Sequence, residues 1–244
     1  MPVNLLVVAY HRARGGPDGN PPAMLDAHFA HLARRCACVV PGEPLEGGKL
    51  NVCLTFDDAY FDFYSVVFPL LQRYKLKALL AVPTALVAES ARLPDDVRTN
   101  GGGKIRAVEA DQHFHCTWQE LAAMAASGRV VIAAHGLFHE RLDCKKTDLD
   151  AEIILSRKIL ATRLSQPVDS FVFPYGRFSS EALRTVKQHY RYAFRIGGAL
   201  NSSWSGRLIY RVNGDCLAAP DALFSPARLA RFRANFYWNR LRGR

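Results

Sequence analysis

The chain has 244 residues, 49% hydrophobic and 22% charged, the balance of a folded globular protein, so disorder and collagen-like repetition are excluded. Lys and Arg outnumber Asp and Glu by 32 to 22, and the resulting net charge of +10 favours anionic partners without choosing among nucleic acid, an anionic membrane face and phosphate-bearing substrates. No stretch approaches the ~20 consecutive apolar residues of a membrane-spanning helix. The apolar run Leu5 to Ala9 lacks the preceding basic residue and the following small-residue site of a signal peptide. The expected location is cytoplasmic, with peripheral contact on the inner membrane face left open.

Short β-rich runs alternate with longer helical patterns along the chain. Strands are predicted at Leu5 to Ala9, Asn51 to Thr55, Ala78 to Val82, Val130 to Ala134, Ser170 to Phe173 and Tyr192 to Ile196. Helices are predicted at Met24 to Arg35, Phe63 to Tyr74, Trp118 to Ser127, Leu149 to Leu164 and Ser180 to His189. Thr117 followed by Glu120 reads as a capping box, and Ser179 marks another helix start. This β-α order argues for a parallel α/β sheet or barrel. Ala91 to His115, with Gly101-Gly102-Gly103, reads as a long loop on the functional rim.

Residues 1–219 read as one catalytic domain and residues 220–244 as a basic, aromatic-rich helix or tail. In the tail Arg228, Arg231, Arg233, Arg240, Arg242 and Arg244 interleave with Leu229, Phe232, Phe236, Tyr237, Trp238 and Leu241. Such a segment either docks on anionic lipid or packs its apolar side on the domain and solvates its arginines. Six scattered cysteines, with one C-x-C and no C-x-x-C, are expected to be reduced thiols rather than a structural zinc site.

Three strand ends carry candidate chemistry. Asp57 and Asp58 close the run Leu54-Thr55-Phe56, where parallel α/β folds hold their active sites; a cation on one acid would relieve their repulsion and leave the other as a base. His135 and His139, spaced i and i+4 after Val130 to Ala134, would share one face of a helical turn and grip a metal ion. Pro174-Tyr175-Gly176 follows Phe171-Val172-Phe173 as a tight turn whose exposed backbone N–H could bind an oxyanion.

TFDD, then H-x-x-x-H, then F-P-Y-G, in this order and spacing, resembles the polysaccharide deacetylase (NodB-like, carbohydrate esterase family four) superfamily over roughly Asn51 to Val212. The resemblance implies a distorted, incomplete (β/α) barrel and a divalent metal, commonly zinc, on Asp58, His135 and His139. It further implies Asp57 as the base, the Tyr175 N–H with the metal at the oxyanion, and Pro174 and Tyr175 beside the substrate. No histidine follows His189, where the family usually keeps its general acid. Tyr10-His11-Arg12 instead resembles the permuted branch that includes poly-N-acetylglucosamine deacetylases, which implies His11 as the acid. Ala59 and Gly136 stand where the family usually has Gly and Ser or Thr. The arginine common before the P-Y-G turn is missing, and Arg211, expected just after a late strand, is the candidate to supply that charge and to contact substrate.

The expected function is metal-dependent removal of an N-acyl group, acetyl above all, from a sugar of a glycan or lipid-linked glycan precursor, with no nucleic-acid partner. Two alternatives stay open. One is a glycosyltransferase holding a metal–nucleotide-sugar complex on the Asp pair; the other is a degenerate family member acting as a basic membrane- or anion-binding module.

Overall fold

A computed structural model of the chain describes residues 4–101 and 112–241. Seven parallel strands close into a ring: β1 (Asn4–Tyr10), β3 (Leu50–Phe56), β4 (Ala78–Val82), β5 (Val130–Ala134), β6 (Ser170–Val172), β7 (Tyr192–Ile196) and β8 (Ile209–Asn213). Closure comes from β1, which pairs with β3 on one side and β8 on the other, so that Val7 faces both Cys53 and Arg211. The two-residue β2 (Ala37–Cys38) adds to β3 at Asn51 and Val52, outside the ring. This is the incomplete (β/α) barrel that the family resemblance implies, and it decides between the sheet and the barrel that the strand-helix alternation left open.

The period-two alternation of the strands divides the apolar residues into two clusters. Leu5, Val7, Cys53, Leu79, Ala81, Ala133, Val172, Phe194 and Ile209 fill the barrel. Their neighbours Leu6, Val8, Val52, Leu54, Leu80, Ile132 and Phe171 point outward under the helices α1 (Pro22–Arg35), α2 (Phe68–Tyr74), α3 (Asp95–Asn100), α4 (Trp118–Ala126), α5 (Ser156–Leu164), α6 (Ser180–His189) and α7 (Pro226–Leu241). Continuing the interior series two residues at a time toward the C-terminal mouth gives Ala9 and His11, Thr55 and Asp57, His135, and Arg211. The same alternation that builds the core therefore aims these polar groups into the mouth.

Four expectations are corrected. The predicted helix Phe63 to Tyr74 begins as a π-turn, Phe63–Val67. Pro69 has no N–H for the Ser65 carbonyl, and the Phe68 N–H reaches back five residues to Phe63. Leu149 to Leu164 likewise opens with a π-turn, Asp150–Leu155: the Ser156 N–H goes to Ala151, while the Ser156 hydroxyl takes the Glu152 carbonyl at 2.6 Å. The expected loop Ala91 to His115 folds in part, with α3 and a 3₁₀ turn at Gln112–Phe114, because Arg98 is buried there and holds Glu120 through two 2.8 Å bonds. Its residues 102–111 lie outside the described ones. Arg211 sits within β8 rather than after it.

The Thr117–Glu120 capping box forms, and Ser179 caps α6 through the Ala182 N–H. All six cysteines are free thiols. In α7, Leu229, Phe232 and Phe236 pack on the core while Asn235 and Asn239 donate to the Gly198 and Gly197 carbonyls, each at 2.8 Å. The opposite side exposes Tyr237, Trp238 and Leu241 beside Arg231, Arg233 and Arg240; Arg242 and Arg244 lie outside the described residues. Among the described residues no helix is long and apolar enough to cross a membrane.

Candidate active site

Asp57 and Asp58 are adjacent in sequence but face different partners. Asp57 is still extended and donates its N–H to the Tyr10 carbonyl at 2.9 Å, whereas Asp58 and Ala59 turn into the left-handed region with φ of 69° and 53°. The turn sends the second carboxylate away from the first. Asp57 accepts both terminal nitrogens of Arg211, at 2.6 and 2.8 Å, and Arg211 also reaches the Thr55 hydroxyl at 3.2 Å. Burial opposes the charge on Asp57, but Arg211, with help from His135 and His11, holds its carboxyl well below the usual range. Arg211 is only 1% exposed. It lies on the wall of the cleft and gives both terminal nitrogens to Asp57.

Asp58, His135 and His139 converge on one point. The Nε2 atoms of the histidines are 3.2 Å apart, and Asp58 Oδ1 lies 3.6 and 3.3 Å from them. His135 donates its Nδ1–H to the Val172 carbonyl at 2.7 Å, which fixes the tautomer, and burial lowers its pKa to about 4. At neutral pH a lone pair is therefore presented at Nε2. Asp58 Oδ1 is buried and accepts no hydrogen bond. One anionic oxygen and two imidazole nitrogens, with atoms all within 4.8 Å of one another, form a donor set that suits a divalent cation. Among the described residues this is the only such cluster.

The two histidines do not share a helical turn, which corrects the sequence expectation. His135 directly follows β5, Gly136 has φ 81° and His139 has φ 61°, so a loop returns the second imidazole to the first. Glu152, a residue no motif signalled, holds this loop. Its buried carboxylate accepts the N–H groups of Phe138 at 2.8 Å, Leu137 at 3.1 Å and Glu140 at 3.3 Å. A Cβ on residue 136 would overlap Glu152 Oε2, so a buried carboxylate and a glycine occupy the space of the usual Ser or Thr.

His11 stands on the other side of Asp57, its Nε2 3.8 Å from Asp57 Oδ2. Asp215, also unforeseen, accepts the His11 Nδ1–H at 2.6 Å and its backbone N–H at 3.1 Å. Burial works against a charged imidazole, but the Asp215 bond and the fields of Asp57 and Asp58 raise the His11 pKa to about 9. Tyr175 is exposed, with φ 56° in its turn and its ring 4.6 Å from that of His139. Pro174 is buried and shapes the turn without lining the cleft, contrary to its expected place beside the substrate. A cavity of about 760 Å³ collects His11, Asp57, Asp58, His135, His139 and Tyr175 on its walls.

A family model described as polysaccharide deacetylase matches residues 46–193, more than half of the chain. The chain belongs to the polysaccharide deacetylase family. The poly-beta-1,6-N-acetyl-D-glucosamine N-deacetylase of Escherichia coli (strain K12) is 34% identical over 94 residues, which make up 38% of this chain and 12% of that protein. The chain thus spans only a small part of this curated relative. The Streptococcus pyogenes deacetylase PplD, solved with acetate, shares the fold of this polysaccharide deacetylase with a TM-score of 0.73 at 21% identity, covering 91% of this chain and 97% of that one. IcaB from Ammonifex degensii superposes with a TM-score of 0.69 at 19% identity, covering 94% and 97%.

Proposed function

We propose that this polysaccharide deacetylase is a metal-dependent hydrolase that removes an N-acetyl group from a sugar of a glycan or lipid-linked glycan precursor. The observation that carries this reading is the flanking of Asp57 by an Asp-His-His donor set on one side and by His11, bound to Asp215, on the other. Asp58, His135 and His139 would hold the cation, most simply zinc, since neutral imidazoles and a carboxylate are its ordinary ligands. When bound, the cation supplies Lewis-acid polarisation of the acyl carbonyl and acidifies water.

The chain's own residues supply the remaining steps. Asp57, kept ionised by Arg211, takes a proton from the water whose oxygen attacks the carbonyl carbon. The Tyr175 N–H faces the oxygen on which charge develops. As the C–N bond breaks, His11 Nε2 delivers a proton to the sugar nitrogen, leaving acetate and a free amine. Arg211 makes Asp57 available as a base at the cost of basicity, while Asp215 makes His11 an acid at neutral pH. A glycosyltransferase built on the Asp pair would leave both histidines and the Asp215–His11 pair without work.

Acetate release from N-acetylglucosamine oligomers by the zinc-loaded chain tests this reading, and no release from any of them overturns it. Asp215→Asn sharpens the test. Activity requires protonated His11 and is lost as pH rises through its pKa; weakening the Asp215 bond lowers that pKa, so the alkaline limb of the pH–rate profile moves to lower pH by about one unit or more. An unmoved limb removes His11 from the acid's role.

A second surface fits an anionic membrane. The outer side of α7 carries Tyr237, Trp238 and Leu241 with Arg231, Arg233 and Arg240, pairing interfacial rings with headgroup-seeking charge. Cosedimentation with vesicles rich in anionic lipid is expected at low salt and is expected to fall several-fold in Tyr237→Ala/Trp238→Ala; equal binding to neutral vesicles removes this role.

A further inference from the structure

His11 directly follows β1, and Asp57 and Asp58 directly follow β3, so acid and base are placed only as well as these two strand-end loops are fixed against each other. Register fixes the strands, where the Asp57 N–H meets the Tyr10 carbonyl at 2.9 Å. Beyond that bond the two loops part, and Asp62 bridges them. Its Oδ2 accepts the Arg12 Nε–H at 2.7 Å and the Ala13 backbone N–H at 3.0 Å, while its Oδ1 is buried and accepts no hydrogen bond among the described residues. A carboxylate four residues past Asp58 thus gives both of its bonds to the two residues that follow His11.

Both charges of the Arg12–Asp62 pair are buried. Such a pair is weak evidence of stability, because desolvation offsets the attraction and an apolar pair of similar volume often holds a fold as well. Direction is what it adds, since charge-assisted bonds fix the geometry of both partners. Arg12 Nη2 donates to the Gly101 carbonyl at 2.8 Å, just past α3, and the guanidinium lies 4.0 Å over the ring of Tyr60. His11 is thereby held twice. Asp215 accepts its backbone and ring N–H groups and orients the imidazole, whereas Asp62 places the backbone that carries it. The loop bearing Asp58 has a separate anchor, the Ala59 carbonyl, which accepts the Cys116 N–H at 2.8 Å.

We propose that Asp62, through Arg12 and Ala13, is a positioning residue for His11: it sets the 3.8 Å between His11 Nε2 and Asp57 Oδ2, and with it the delivery of the proton to the departing nitrogen. The inference rests on the deacetylase reading and concerns its second half, the breaking of the C–N bond.

Two acetyl compounds test it on the zinc-loaded chain. An N-acetylglucosamine oligomer needs a proton on nitrogen as its C–N bond breaks, whereas 4-nitrophenyl acetate releases a stable phenolate as its C–O bond breaks and needs none. In Asp62→Asn, kcat for the amide is expected to fall about 100-fold, within the range that general acid catalysis supplies, while ester hydrolysis stays within about twofold and metal content is unchanged. Asparagine leaves the Arg12 charge buried and unpaired, so Arg12→Met/Asp62→Asn, which removes both charges, is expected to fold as the wild type does and to show the same selective loss. Equal losses for amide and ester, loss of metal, or full amide hydrolysis in the double variant overturns the proposal. A signature independent of turnover is the His11 Nδ1–H resonance in ¹⁵N-histidine-labelled protein, expected to shift in both variants. A shifted resonance in a chain whose wild type releases no acetate supports the Asp62–His11 tie and overturns the deacetylase; acetate release with an unmoved resonance and an unchanged amide-to-ester ratio does the reverse.

Discussion

Asp58→Asn is expected to empty the metal site and to lower acetate release by about three orders of magnitude or more, since a cation at the reacting carbonyl is worth several kcal/mol and each 1.36 kcal/mol is a factor of ten. Asp58 supplies the one negative charge among the three converging groups, and its Oδ1 has no hydrogen bond to lose. Asparagine suits the φ of 69° better than alanine would, so the variant removes charge without straining the turn. Elemental analysis beside the acetate assay checks the expectation: about one equivalent of metal in the wild type and little in the variant. Full metal content with full activity in Asp58→Asn would exclude Asp58 as a ligand.

Glu152→Gln should weaken metal binding about 10- to 100-fold although the Glu152 carboxylate is held by backbone N–H groups and not by the three candidate ligand side chains, because groups that orient ligands commonly carry that much. The carboxylate accepts three N–H bonds from the loop between the histidines; an amide offers one oxygen and turns an NH₂ toward the remaining donors. The buried mismatch costs about 1–3 kcal/mol, which for a chain of this size lowers Tm by roughly 2–10 °C. Gly136→Ser forces the same rearrangement from the other side, since its Cβ would overlap Glu152 and its φ is 81°. The two substitutions disrupt one contact, so the double variant should lose less than the sum of the single losses. Metal titration and thermal melts measure this. Unchanged affinity in Glu152→Gln would reduce Glu152 to a structural residue.

The interior walls of the barrel were legible because parallel strands buried on both faces read as continuous apolar runs, and the departures from apolarity at 57, 58 and 135 marked the mouth. His139 was legible by spacing, though the chain reaches it through a loop with two left-handed residues rather than a helical turn. Glu152 reads as a favourable acid in a helical first turn; only the fold turns it inward. Asp215 is a single acid after a five-residue strand, and its partner His11 lies 204 positions away, a separation no local pattern records. Arg211 was found as a charge seeking a place, but its position inside β8 and its grip on Asp57 required the register with β1. α3 has six residues, too few for a helical period to emerge.

A closed ring of strands has no first member. Because β1 pairs with β8 as well as with β3, the stretch after β1 and the stretch after β8 open onto the same side of Asp57, and one carries His11 while the other carries Asp215. A histidine written near the beginning of the chain and an aspartate written near its end therefore reach a single place in space. The order in which these residues occur along the sequence records where the circle was cut, and the geometry of the mouth is indifferent to the cut.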